Sequence, residues 1–264
     1  MNPSTLIGMV ASVALMAVIL LFGSDKPGNF LDLPSIAIVL GGTLAATFLS
    51  YPLREVLRVV KLVSHVLRED KLDSRHDIEE LVALSKLWVQ GDLQAVEKAL
   101  AYVTNPFLRT GVQLVIDRTP EEEIIDLLQW RIAHLRQRES AEAQLFRVMA
   151  SYAPAFGMLG TLLGLINLMD LVGSGNMAAI GSQLAIALIT TFYGVLLANL
   201  IFKPIAVKLE RRTEQRLVLM NMILEGISMM CVGRSPSLMR ETLKAFVAQY
   251  DDEINDARPV GKGK

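Results

Sequence analysis

The chain of 264 residues contains one cysteine and three histidines. A single thiol, Cys231, excludes an internal disulfide, and its expected role is that of a small packing residue. His65, His76 and His134 lie far apart, without the spacing of metal ligands, so no metal site is predicted. The formal net charge of −1 gives no electrostatic case for nucleic acid. No phosphate-cradling loop and no nucleophile paired with a base can be found, so no catalytic residue, cofactor or enzyme activity is expected. The stretch GMLGTLLG has the glycines of such a loop but sits inside an apolar run. Charge is also missing over long distances. Val148–Met169 and Met177–Phe202 contain no Asp, Glu, Lys, Arg or His.

Each of these two runs exceeds the roughly 20 apolar residues that cross a bilayer. Two more uncharged segments open the chain, Thr5–Phe22 and Leu33–Tyr51. The first lacks the positive flank of a signal peptide, and GSDKPG makes a poor cleavage site, so a retained membrane helix is expected. The turn-rich GSDKPGNFLD predicts an antiparallel hairpin. A mean hydropathy of +0.40 and 52% hydrophobic residues agree with a membrane protein.

The two later runs carry small and weakly polar residues at helical spacing. On one these are Ala153, Gly157, Gly160, Thr161 and Gly164. On the other they are Ala187, Thr190, Thr191, Gly194 and Ala198. Steps of three and four put each set on one face, suited to close packing against protein or along a narrow wet path.

Positive charge sets the orientation. Arg54, Arg58, Lys61, Arg68 and Lys71 follow the second run, and Lys203, Lys208, Arg211, Arg212 and Arg216 follow the fourth. The loop DLVGSGN has no Lys or Arg. Both termini and the central block are therefore expected in the cytoplasm. The predicted fold is an all-α, multi-pass membrane protein. It has a hairpin in 1–51 (helices near 5–22 and 33–51), a cytoplasmic helical domain in 52–147, and membrane helices near 148–170 and 177–202. A cytoplasmic helical tail fills 205–264.

In the central block, Val56, Val60, Val63 and Leu67 form one apolar stripe, and Ile78, Leu81, Val82 and Trp88 form another that ends near Gly91. Thr119 as N-cap, Pro120 and three acids predict the start of a helix that runs on into the third membrane helix. The Met-rich tail (Met220, Met222, Met229, Met230) is expected to serve core or subunit packing, and ARPVGKGK to be disordered. Proton and sodium paths usually place an ionisable side chain within the membrane. The predicted spans have none, for Asp170 lies at an outer end. Either the chain conducts nothing or a partner brings the charge.

The stretches APAFGMLGTLLGLINLM and LAIALITTFYGVLLANLIFKPIA resemble the third and fourth helices of the MotA/PomA family of flagellar stator subunits, within the MotA/TolQ/ExbB proton channel superfamily. LDLPSIAIVLGGTLAATFLSYPL, NPFLRTGVQLVID and GISMMCVGRSPSLMRETLKAF resemble further family segments, with Gly233 and Pro236 in the expected places. The resemblance implies a bacterial inner-membrane ring, with five copies around two single-pass MotB/PomB-type partners. The partner's aspartate would bind the proton or sodium ion. Torque would act on the flagellar rotor protein FliG. Pro154 and Pro204 match the family's coupling prolines, Pro154 lying near the partner's aspartate. Thr161 and Thr191 match hydroxyls of the ion path, with Thr190 as a further candidate. Membrane threonines also bond back to their own helix, and a membrane proline can be tolerated without a role.

One departure stands out. The family's rotor-facing Arg and Glu flank a glycine that matches Gly91. Here Trp88, Val89 and Gln90 occupy the Arg region, and Val96 the Glu position. Lys86 and Glu97 are the nearby charged substitutes. Two alternative readings follow: a MotA-like motor for a non-flagellar envelope machine, or a non-conducting membrane scaffold.

Overall fold

The computed structural model describes residues 7, 8, 11, 14, 18, 32–66, 74–172 and 177–256. Most of the helix expected near 5–22, and the C-terminal ARPVGKGK, lie outside the described residues. All regular structure among the described residues is helical. The chain divides into two compact units, one from residues 1–70 and 140–210, the other from 71–139 and 211–264.

The first unit contains α1 (Leu33–Ser50) and α2 (Leu53–Val66). It also takes the later part of α6 (Glu121–Val172), all of α7 (Met177–Leu196) and the first residues of α8 (Lys203–Cys231). Asp32 caps α1 by accepting the Ser35 N–H at 2.9 Å, with Pro34 in the first turn. The helix stops at Ser50 because Tyr51 precedes Pro52 and is held extended, at φ −133° and ψ 144°. Within α1 the buried hydroxyls of Thr43 and Thr47 donate back to the Val39 and Thr43 carbonyls at 2.6 and 2.7 Å.

Aliphatic and aromatic side chains then build the core of this unit. Val56 and Val59 from α2 meet Phe146, Met149 and Ala150 of α6 and Phe202 and Leu209 from the later elements. The expected stripe on α2 is thus shifted: Val59 is buried, whereas Val60 is half exposed. Val63 and Leu67 have no described side chains. Ion pairs rim the core. Arg147 binds Glu210 through two nitrogens at 2.5 and 2.7 Å. That bond, more than charge alone, holds the Glu210 carboxyl below its ordinary range, while desolvation opposes it. The pair's contribution is therefore present at neutral pH and lost as acid protonates Glu210.

The second unit contains α3 (Ser74–Val89), α4 (Leu93–Leu100), α5 (Pro106–Ile116) and α9 (Pro236–Asp256), with the remaining parts of α6 and α8. Leu81 and Leu84 of α3 and Leu108 and Val112 of α5 pack with Leu128, Met222, Ile223 and Ile227 in a single core. Trp88 lies against it, half buried. Met222 and Met230 are fully buried, and Met220 and Met229 are partly so, which makes the Met-rich stretch core packing in this unit. Asn105 caps α5 with its side-chain oxygen, and its amide reaches back to Asp77 of α3 at 3.1 Å.

Three helices in this unit end in the same way. The N–H groups of Gly91 and Asp92 fold back onto the Trp88 and Leu87 carbonyls. Those of Gly233 and Arg234 do so onto Met230 and Met229, and those of Arg118 and Thr119 onto Val115 and Leu114. This closure needs a left-handed residue at its corner. Gly91 and Gly233 supply it at φ 76° and 69°; Arg118 adopts 56° with a side chain. The helix α6 begins at Glu121, and its first bond runs from the Ile124 N–H to the Pro120 carbonyl. The cap is therefore one residue later than the Thr119 expected. As predicted, α6 then continues without a break through 52 residues.

By length and composition, three helices among the described residues can cross a membrane: Leu33–Ser50, Glu121–Val172 and the stretch Ala179–Cys231.

Candidate functional site

The two small-residue stripes read from the sequence face each other. A β-carbon built at Gly194 of α7 would stand 2.6 Å from the Ala153 carbonyl oxygen and 3.1 Å from Pro154 Cα. One at Gly157 of α6 would stand 3.0 Å from the Thr190 carbonyl oxygen. Further along, Gly160 meets the Thr190 side chain and Gly164 meets Ala187. The backbones of α6 and α7 are in direct contact, an approach that only residues without bulk allow.

The hydroxyls sit inside this seam. Thr161 and Thr191, on opposite helices, bond to each other. Thr161 also donates across to the Ala187 carbonyl at 3.0 Å, and lies 3.2 Å from its own Gly157 carbonyl. Thr191 reaches the same Gly157 carbonyl at 3.2 Å. Thr190 behaves differently. It is fully buried and turns back to Ala187 on its own helix at 2.8 Å. So the structure joins Thr161 and Thr191 in one network and leaves Thr190 in local packing against Gly160.

Both proline positions interrupt hydrogen bonding. Pro154 has no N–H to offer the Ala150 carbonyl. Between α7 and α8 the backbone widens into a π turn, Leu197–Phe202. Here the Lys203 N–H bonds to Ala198, five residues back, instead of to Asn199. Pro204 then offers no N–H to Leu200. The Asn199 side chain sits at this turn, donating to the Val195 carbonyl at 2.8 Å and accepting from Lys203 Nζ at 2.8 Å. A second π turn, Ala37–Gly41, lies within α1. Short π segments of this kind are common where a helix serves a function. No sequence signal pointed to the first turn beyond Pro204, or to the second beyond Gly41–Gly42.

One inter-helix contact was invisible in the sequence. The Tyr152 hydroxyl of α6 lies 2.9 Å from Ser50 Oγ at the end of α1, a pair 102 residues apart. Lys86 and Glu97 occupy separate helices, α3 and α4, on either side of the Gly91 corner, and both are exposed. Val96 is fully buried in the core. Cys231 is half buried; burial, and then the nearby Glu121, push its thiol above the ordinary cysteine range. That suits a packing thiol, as the sequence reading held.

The chain is similar to known proteins. A family described as the MotA/TolQ/ExbB proton channel family matches residues 99–222. The uncharacterized protein YtxD of Bacillus subtilis is 32% identical over 94% of this chain and 91% of its own length. Motility protein A of Borreliella burgdorferi is 31% identical over 95% of this chain and 96% of its own. A solved structure of C. jejuni MotAB superposes with a TM-score of 0.85 at 23% identity, over 93% of this chain and 96% of that one, a likeness of fold. The chain belongs to the MotA/TolQ/ExbB proton channel family, and its relatives place it among the MotA/PomA-type members.

Proposed function

We propose that this chain is the ring-forming subunit of an ion-driven stator that couples ion flow across the inner membrane to torque on the flagellar rotor. The observation that carries this is the 31% identity with a Motility protein A along 95% of the chain. Its chemistry agrees with that role. The seam between α6 and α7 offers hydroxyls and backbone carbonyls and no ionisable group, so the carboxylate that takes up the ion belongs to a MotB/PomB-type partner. Thr161 and Thr191 serve the path of a proton or sodium ion. Their protons go to carbonyls or to each other, which leaves oxygen lone pairs for a cation or its water. Pro154 and Pro204 weaken the helices on the inner side, where coupling takes place.

In this reading four helices cross the inner membrane, the first near 5–22, and both termini and the α3–α5 region are cytoplasmic. Several copies, five by family resemblance, surround two partner chains in the lipid. The orientation is directly testable. In a Cys231-free background, a cysteine at Ser174 should react with an impermeant thiol reagent from outside, and one at Ser74 should not. The reverse pattern would overturn the topology.

A second reading keeps the motor and changes its load. It is supported by the buried Val96 and half-buried Trp88 at the positions where the family's rotor-facing charges would stand. One experiment separates the two. Deleting the gene should abolish motility, and the wild-type copy should restore it. If exposed Lys86 and Glu97 meet the rotor, each pair contributes about 0–1 kcal/mol. The double reversal Lys86→Glu with Glu97→Lys should then restore clearly less torque with ring assembly unchanged. Full restoration by the double variant would remove these two residues from the rotor contact. Unchanged motility on deletion would favour the non-flagellar machine.

A further inference from the structure

The hydroxyl pair that ties α1 to α6 stands two residues before Pro154. Ser50 Oγ makes two contacts: the Ala46 carbonyl on its own helix at 2.9 Å, and the Tyr152 hydroxyl at 2.9 Å. A carbonyl can only accept, so the single Ser50 proton goes to Ala46. Tyr152 is then the donor to Ser50, and the order Tyr152 to Ser50 to Ala46 is fixed. One turn further along α6, Phe156 packs on α1. A β-carbon at Gly42 would stand 2.2 Å from its ring. The two contacts bracket Pro154 on the α1 side. On the α7 side, Gly194 holds the same residue at backbone distance.

Pro154 is therefore clamped between two neighbours of unequal strength. The α7 contact is backbone against backbone and cannot slide without separating the helices. On the α1 side the Phe156 ring packs on Gly42 as an apolar contact that tolerates small shifts, and the one polar tie is a hydrogen bond between two rotatable hydroxyls, next to a turn that already lacks the bond to Ala150. Any tilt of the Pro154 turn is expected to break the Tyr152–Ser50 bond first.

We propose that Tyr152 and Ser50 are positioning residues that form a latch: their bond holds the Pro154 turn in the resting arrangement, and ion uptake releases it. This rests on the stator reading above. The latch sets the balance between two arrangements and touches no ion, so its loss shifts the ion dependence and leaves the top speed largely alone. Hydrogen bonds between membrane helices average a size that corresponds to about a threefold change in an equilibrium.

The test uses the full complex in motile cells, with speed followed against external ion concentration for the driving ion. Tyr152→Phe keeps the ring and removes the donor. The half-saturating ion concentration should fall about threefold, with maximal speed and ring yield near wild type. Ser50→Ala should do the same, and the two changes together should do no more than either alone. Ser50→Thr keeps a hydroxyl able to bond to Ala46 and Tyr152, and should restore the wild-type value. A purely structural contact would instead lower ring yield and leave the half-saturating concentration in place. That outcome, an unchanged value at normal yield, or a rise in it would overturn the latch while the stator reading stood. Normal swimming of the strain without the gene would overturn the stator reading itself.

Discussion

Alanine at Gly194 should disable this protein. The new methyl would start 2.6 Å from the Ala153 carbonyl oxygen and 3.1 Å from Pro154 Cα, and both obstacles are backbone. A flexible side chain can rotate out of a clash; a helix backbone moves only by shifting the whole helix. Overpacking of well-filled sites costs about 1–3 kcal/mol, and this site lacks the softer route of relief. Separation of α6 from α7 would also draw Thr191 away from Thr161 and Gly157, so the hydroxyl network fails with the seam. The expected result is loss of motility together with a lower thermal stability of the extracted ring. Gly181, on the same helix, has nothing within 4 Å of a built β-carbon. Alanine there should be neutral in the protomer, or mildly stabilising by its helix propensity. Equal behaviour of the two variants would mean that α6 and α7 do not pack as described.

The seam was legible in the sequence because packing in lipid leaves a compositional trace. Only small residues allow two backbones to touch, so Gly157, Gly160 and Gly164 declared one face and Ala187, Gly194 and Ala198 the other. The uncharged runs and the acidic start of α6 were equally plain, and α6 runs on into the third apolar run as expected, over 52 residues. The break at Gly91 followed from one residue with no β-carbon. The features that escaped depend on contacts or on backbone bookkeeping. Nothing near Ser50 or Tyr152 in sequence announces a partner 102 residues away. The π turn at Leu197–Phe202 arises because Lys203 bonds five residues back just before Pro204, and Leu197–Phe202 itself reads as ordinary membrane helix. On α2 the stripe was read through Val56 and Val60, and the core instead buries Val59 beside Val56.

The sequence also left the threonines undecided between local bonding and a shared role, and the geometry divides them. Thr190 bonds within its own helix, whereas Thr161 and Thr191 bond across the seam. Valine at Thr161 or Thr191 keeps the shape and removes the hydroxyl. Neither change should unfold the seam. The Gly157 and Ala187 carbonyls keep their helical N–H donors, Ala187 also keeps Thr190 at 2.8 Å, and a membrane hydrogen bond is worth only about 0.6 kcal/mol on average. A hydroxyl that meets an ion is worth more, about 1.5–3 kcal/mol for a bond to a charge. The half-saturating concentration of the driving ion should therefore rise roughly tenfold or more, with ring assembly and partner binding intact. This is opposite in direction to the change expected at Tyr152. Because the two hydroxyls share one network, the double variant should fall well short of the summed single effects. Thr190→Val should leave the ion dependence unchanged. Speed measured across sodium concentrations at fixed pH, and across pH at fixed sodium, identifies which ion responds. If both Thr161→Val and Thr191→Val swim as wild type under every condition, the hydroxyls are packing groups and the ion passes elsewhere.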